Sequence, residues 1–358
     1  MKKLDSPLLL APVFEPRLWG RQDLTPIYGG DPRVSAALPA ALRHETIAEA
    51  WLTDNAARFL NGPVAGSQLK DVVQAYGEEL LGPANAGPRF PILAKFLFTS
   101  AWLSVQVHPN DAQAHESHPG TIGKTEMWYV VSAGRKAEYL LGVKPGVNAA
   151  ALRRASRQGK IAALLRRFRP KPGEAIFLPA GTVHTLGPDL VVFEVEENSD
   201  ITYRLDDFGR LGPDGKPRPL HVEEGLRVAR LDAPPLRNLA RVELPEPFGS
   251  RRYVLACRYF AVELLTLNRC AQMTSASYRV ELLVVLSGSG RVETASGWWG
   301  FRSGEPWLIP PGAGKYRLWP RGQAKIFRCY VPNLDEDFLQ PLLRRKIPSR
   351  TIAKLVFD

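Results

Sequence analysis

The chain repeats itself, and that repeat limits its fold more than any other feature. "YVVSAGR" at 129–135 is matched by "VVLSGSGR" at 284–291, and "PGEAIFLPAG" at 172–181 by "SGEPWLIPPG" at 303–312. A unit written twice is one supersecondary piece used twice, so both copies should fold alike. The second part begins 40 residues after Ser132 in the first copy and 16 after the matching Ser287 in the second. The excess matches the stretch 145–170, where Leu152, Ile161, Leu164, Leu165 and Phe168 recur near helical spacing and the arginines form a solvated face. The second copy is thus the bare β unit, and the first carries a helical insertion.

Thirty glycines and 31 prolines punctuate short runs of Val, Leu, Tyr and Trp. That is the pattern of short strands. Strands are predicted at 102–107, 127–131, 175–178, 190–195, 260–267 and 282–286, with a second helical stretch at 67–82. A strand, a glycine turn and then G-E-x4–5-P-x-G looks like a jelly-roll corner, where glycine makes the turn and proline ends the ladder. "PAGTVH" at 179–184 resembles the second motif of the cupins, P-x-G-x-x-H. The expected fold class is mainly β, with two cupin-type jelly-roll barrels. The first spans 1–240 with the helical insertion near 145–170, and the second spans 250–358. The proline-rich "LDAPPLRNLARVELPEPFGS" is the expected linker.

Composition excludes several classes. Hydrophobic residues are 45% of the chain, yet no apolar run approaches the roughly 18 residues of a membrane span. Asp5 and the prolines interrupt the apolar patch in "MKKLDSPLLLAPVFEP", so no signal-peptide core forms and a cytoplasmic protein is expected. Cys257, Cys270 and Cys329 are odd in number and lack CxxC spacing. They read as buried small hydrophobes rather than a disulfide framework or a thiolate metal site. The net charge of +11 favours anionic partners. Nucleic acid is not the expected partner, because the arginine-rich helical stretch has no aromatic interleaving. The favoured oligomeric state is a monomer.

"LSVQVHPNDAQAHESHPGTIGKTEMWYVV" at 103–131 concentrates the polar chemistry. Gln106 and His108 alternate with valines, so on a strand they share a face. Glu126 opens the next apolar strand, and His184 closes the cupin-like motif. Converging inside one barrel, Gln106, His108, Glu126 and His184 form an N2O2 set suited to a borderline divalent ion, zinc first. Aligning Ser132 with Ser287 places Glu126 on Glu281, whereas aligning Gly181 with Gly312 places His184 on Lys315. All six histidines lie at or before residue 221, so the second copy is expected to be metal-free. His115 and His118 sit in what reads as a polar surface loop, and His44 and His221 read as structural.

In order along the chain, "FEPRLWG", "IAEAWLTDN", "FPILAKFLFTSAWLSVQVHPND", "GKTEMWYVV", "PAGTVHTLG", "ENSDITYRLDDFGR" and "GKPRPLHVEEGL" resemble the successive motifs of the type I mannose-6-phosphate isomerases, in their shorter bacterial form. The resemblance implies a zinc enzyme, one ion per chain, that interconverts mannose 6-phosphate and fructose 6-phosphate through an enediol. Carried over by motif, the ligands are again Gln106, His108, Glu126 and His184. Ser104, Lys124 and Arg204 fall on substrate-binding positions, and Arg204, Lys124, Glu194 and Asp200 on catalytic ones. Without the resemblance, Arg204 would read as a surface ion pair with Asp206 or Asp207, and Lys124 as a solvated lysine or, with a lowered pKa, a proton carrier. Two other classes remain: a cupin that binds a sugar phosphate without turning it over, and a metal-dependent oxygenase.

Overall fold

A computed structural model of the chain describes residues 3–29, 42, 45–212, 214–237 and 239–357. His44 lies outside the described residues. Four sheets carry the fold, antiparallel except where Val356–Phe357 pairs parallel with Gly249–Cys257. In the first half, a six-stranded sheet runs in the order Val13–Arg21, Ile47–Trp51, Ile92–Thr99, Leu190–Glu197, Glu126–Ala133, Ala175–Leu178. Facing it is a five-stranded sheet ordered Tyr203–Asp206, Val105–Val107, His184–Leu186, Tyr139–Val143, Leu165–Phe168. Leu97, Trp128, Val130, Tyr139, Leu141, Leu186 and Val192 pack between the two.

The second half repeats the plan with an eight-stranded and a four-stranded sheet. Glu126–Ala133 lies between Ala175–Leu178 and Leu190–Glu197, just as Glu281–Ser287 lies between Pro306–Ile309 and Ala324–Tyr330. Even the turn glycines agree: Gly173 and Gly304 both have φ of 83°, a left-handed conformation that a Cβ would strain. The strand Leu8–Leu9 crosses over to pair with Pro306–Ile309, which ties the start of the chain into the second half.

The two large sheets pack back to back across the biggest core cluster. Strands here are buried on both faces: on Leu190–Glu197, Val191, Phe193 and Val195 face this core while Glu194 and Glu196 face the interior of the first half. Phe193 stacks on Phe327 with centroids 4.3 Å apart, and Tyr129 meets Phe327 edge-on at 4.9 Å.

Several sequence expectations change. The strand expected at 102–107 is confined to Val105–Val107. The insertion is helical only over Ala149–Arg157, followed by a 3-10 turn at Ile161–Leu164. Leu165 and Phe168 lie instead on the strand Leu165–Phe168, because pairing with Tyr139–Val143 satisfies their backbone at the sheet edge. The segment read as a loop around His115 is the helix Asp111–Ser117, started by a reciprocal cap in which Asn110 and Gln113 each accept from the other's backbone N–H. A quarter of the expected linker is the strand Val242–Glu246, paired with Gly249–Cys257. Cys257 and Cys329 are buried, but Cys270 is only partly so. No helix among the described residues is long and apolar enough to cross a membrane.

Candidate metal centre and substrate cavity

Register brings the polar residues together. Gln106 has His184 opposite it on one side and Arg204 on the other, while Glu196 lies opposite Glu126 in the facing sheet. Strands that are far apart in sequence therefore deliver four side chains to one point. His184 Nε2 is 3.1 Å from Glu126 Oε1, His108 Nε2 is 3.7 Å from Glu126 Oε2, and Gln106 Nε2 is 3.3 Å from His184 Nε2. His108, Glu126 and His184 are at most 2% exposed.

Both imidazoles are oriented from behind. His108 Nδ1 is 2.8 Å from the Ile201 carbonyl, and His184 Nδ1 is 2.8 Å from the Thr182 carbonyl. A carbonyl accepts only, so each Nδ1 carries the proton and each Nε2 presents a lone pair inward. His108 Nε2 and both Glu126 oxygens are buried without a hydrogen-bond partner. Leaving three such atoms unsatisfied is costly, and an ion among them would remove the cost. The donor set fits a divalent cation: two neutral imidazoles, one carboxylate and, if the Gln106 amide presents its oxygen, a fourth ligand.

Burial and the nearby lysines set the ionisation. Burial pushes the His184 imidazole down to about 3; burial and Lys124 hold His108 well below its usual value. Burial raises the Glu126 and Glu196 carboxyls above the usual range. Lys124 is held well above an ordinary lysine: burial opposes its charge, but Glu196, Glu126 and Glu194 outweigh it. Such a lysine is a fixed cation in the metal-free protein and not a proton carrier.

These values give a pH signature. In both histidines the folded pKa lies below the unfolded value near 6.5, so below that pH the unfolded chain binds protons that the folded one refuses. Their contribution is complete above about pH 6.5 and is lost as pH falls below it, for His184 down to about 3. Each imidazole buried neutral contributes about 1.4 kcal/mol per pH unit where only the unfolded chain is protonated, while the raised Glu126 and Glu196 carboxyls contribute with the opposite sign between about pH 4.5 and 7. Imidazole NMR titration of the metal-free protein between pH 7 and 4 separates the rings from these carboxyls, and rings that take up protons near pH 6.5 would mean that the imidazoles are not buried neutral.

Above this centre is a cavity of about 310 Å³. Its wall includes every remaining residue singled out from sequence: Ser104, Lys124, Glu194, Asp200 and Arg204. Ser104 Oγ donates to Gln106 Oε1 at 3.3 Å. Glu194 Oε1 accepts from Trp128 Nε1 at 2.7 Å, and the Trp128 ring meets the His184 ring edge-on. Asp200 is exposed at the rim. Arg204 makes no ion pair with Asp206 or Asp207; Asp207 instead takes Arg210 and Arg218, leaving the Arg204 guanidinium anchored by one bond to the Pro219 carbonyl. His221 has a structural role, as expected: its Nδ1 accepts from the Arg204 backbone N–H at 3.2 Å. His115 and His118 are exposed and stand apart from the centre.

Two charged residues escaped the sequence reading. Lys95 is 3% exposed and reaches Glu196 at 2.7 Å and Glu194 at 3.6 Å, with its ammonium over the Trp51 ring. Glu196 is fully buried and also reaches Lys124 at 2.9 Å. The available signal was a lone lysine inside "ILAKFLFT" and a second carboxylate inside "LVVFEVEE", since charges on a strand buried on both faces need partners. In the second half, Glu281, the counterpart of Glu126, accepts from Arg328 Nε at 3.0 Å. That guanidinium comes from the position matching Glu194, since Arg328 lies opposite Leu283 as Glu194 lies opposite Trp128.

A mainly β, cupin-like architecture with a buried cluster of two imidazoles and a carboxylate, beneath a cavity lined by Lys95, Lys124 and Arg204, defines a protein with a metal-competent site. Residues 8–130 match the model of the phosphomannose isomerase type I catalytic domain. The mannose-6-phosphate isomerase ManA of Bacillus subtilis is 32% identical over 329 residues, covering 92% of this chain and 99% of that protein. The chain belongs to the type I phosphomannose isomerase family. The crystal structure of the mannose 6-phosphate isomerase from Bacillus subtilis superposes with a TM-score of 0.80 at 26% identity, covering 90% of this chain and 99% of that one. A zinc-bound holo mannose 6-phosphate isomerase shares the fold, with a TM-score of 0.69 at 17% identity over 91% of this chain and 99% of that one.

Proposed function

We propose that the protein interconverts mannose 6-phosphate and fructose 6-phosphate through an enediol, with one zinc ion per chain held by Gln106, His108, Glu126 and His184. The three buried atoms left without partners, His108 Nε2 and the two Glu126 oxygens, carry this reading. Each sheet pair is a cupin-type barrel: residues 1–240 form the catalytic one and 250–358 a metal-free one, in which Arg328 neutralises Glu281 from within. When bound, the cation supplies positive charge that favours the enediolate oxygen and orients hydroxyl groups.

The chain's own residues do the rest. Arg204, whose guanidinium meets no carboxylate in an ion pair among the described residues, offers a planar fork for phosphate or enediolate oxygens. Lys124 is a fixed point charge on the cavity wall, and Ser104 orients the Gln106 amide. The proton leaving C2 of the aldose must be delivered to C1 of the ketose, which takes a base on the sugar's face. Glu194 and Asp200 both line the cavity. Glu194 holds this role by position: it is buried and fixed by Trp128, while water surrounds Asp200.

Turnover of mannose 6-phosphate, coupled to a fructose 6-phosphate readout with no redox cofactor in the isomerase step, tests the reading. Glu194→Gln should lower kcat by about a hundredfold or more, and Asp200→Asn by less than about tenfold. Binding of the sugar phosphate without turnover or exchange of the C2 proton by the zinc-loaded wild type would point to a sensor instead.

A further inference from the structure

Beneath the cavity wall lies a carboxylate that cannot reach the sugar. Glu196 is fully buried and is not among the residues lining the cavity, yet its two oxygens touch the ammonium groups of two lysines that are. Lys95 comes from the neighbouring strand Ile92–Thr99, and Lys124 from the segment entering Glu126–Ala133. Two like charges brought side by side in a buried place repel each other, and one shared carboxylate offsets that repulsion while fixing their spacing.

Each lysine has one weaker alternative. For Lys95 it is Glu194 at 3.6 Å; for Lys124 it is Glu126 at 3.7 Å. The alternatives are the proposed base and a proposed zinc ligand. Without Glu196, Lys95 would close on the base and Lys124 on the ligand, so two groups of the reaction would be engaged by the wrong cation.

We propose that Glu196 is a positioning residue of the isomerase: it fixes Lys95 and Lys124 at the cavity wall and thereby keeps Glu194 and Glu126 free for their own roles. This rests on the isomerase reading above. The effect on turnover passes through the lysines, and a misplacement of about 1 Å in such a group costs on the order of a hundredfold.

The test uses zinc-loaded full-length protein and four forms: wild type, Glu196→Gln, Lys95→Met and the double variant. Gln keeps the shape and removes the charge. At saturating zinc we expect Glu196→Gln to be fully loaded, though it holds the ion less tightly than wild type because Lys124 competes for Glu126, and to lose about tenfold to a hundredfold in kcat/KM, with the double variant falling short of the product of the two single losses by about tenfold or more. Should Glu196→Gln fail to fold, Glu196→Asp replaces it; that variant keeps the charge but is too short to reach both lysines, and the same pattern is expected. A replacement within twofold of wild type, or losses that multiply, would overturn the proposal. Wild type that does not turn over mannose 6-phosphate would instead bring down the isomerase reading, and this inference with it.

Discussion

Replacing His184 by alanine should abolish stoichiometric zinc binding and lower kcat by about a thousandfold, the equivalent of about 4 kcal/mol of transition-state stabilisation. The size follows from the geometry. His184 Nε2 stands 3.1 Å from Glu126 and 3.3 Å from the Gln106 amide, so its removal opens the centre of the cluster and not its edge. The imidazole is also buried against Trp128, and alanine leaves a void there that water can enter. Metal analysis of the dialysed variant, alongside the mannose 6-phosphate assay, reads both effects. A chelator should reproduce the loss in wild type, and added zinc should restore wild type but not the variant. Full zinc content and rate in the variant would refute the ligand assignment.

The second large effect is on stability. Phe327→Ala should cost about 3–5 kcal/mol, because it deletes a fully buried ring at the junction of the two large sheets. Phe327 stacks on Phe193 at 4.3 Å and receives the edge of Tyr129 at 4.9 Å, so both neighbours lose a partner and neither strand can move to fill the gap. Phe193 and Tyr129 lie on the strands that carry Glu194, Glu196 and Glu126 on their other faces. The variant should therefore lower the denaturant midpoint and loosen zinc retention together. A loss below about 1 kcal/mol would mean that the two halves are not coupled through this contact.

Much of the site was legible because a strand has a period of two. Alternation placed Gln106 and His108 on one face, and the apolar run after Glu126 marked that residue as the start of a strand. The repeat showed that the second copy lacks histidines, although it could not show what replaces them. Lys95 and Glu196 were missed because their strands are buried on both faces: when every position is apolar or buried, alternation no longer says which face is the site. The helix at Asp111–Ser117 was missed for a different reason. Its sequence has no apolar residue larger than alanine, and only the reciprocal cap of Asn110 and Gln113 marks its start.

The sequence alone determined the doubled β unit, the four candidate ligands and the absence of imidazoles from the second copy, since each depends on residue identity and local spacing. Register between distant strands was settled only by the tertiary structure. It set Glu196 opposite Glu126 and Glu194 opposite Lys95, and it stacked one half's phenylalanines on the other's. Cross-strand register follows from the simultaneous packing of both faces, and a shift of one residue would turn every one of these charges into the apolar core.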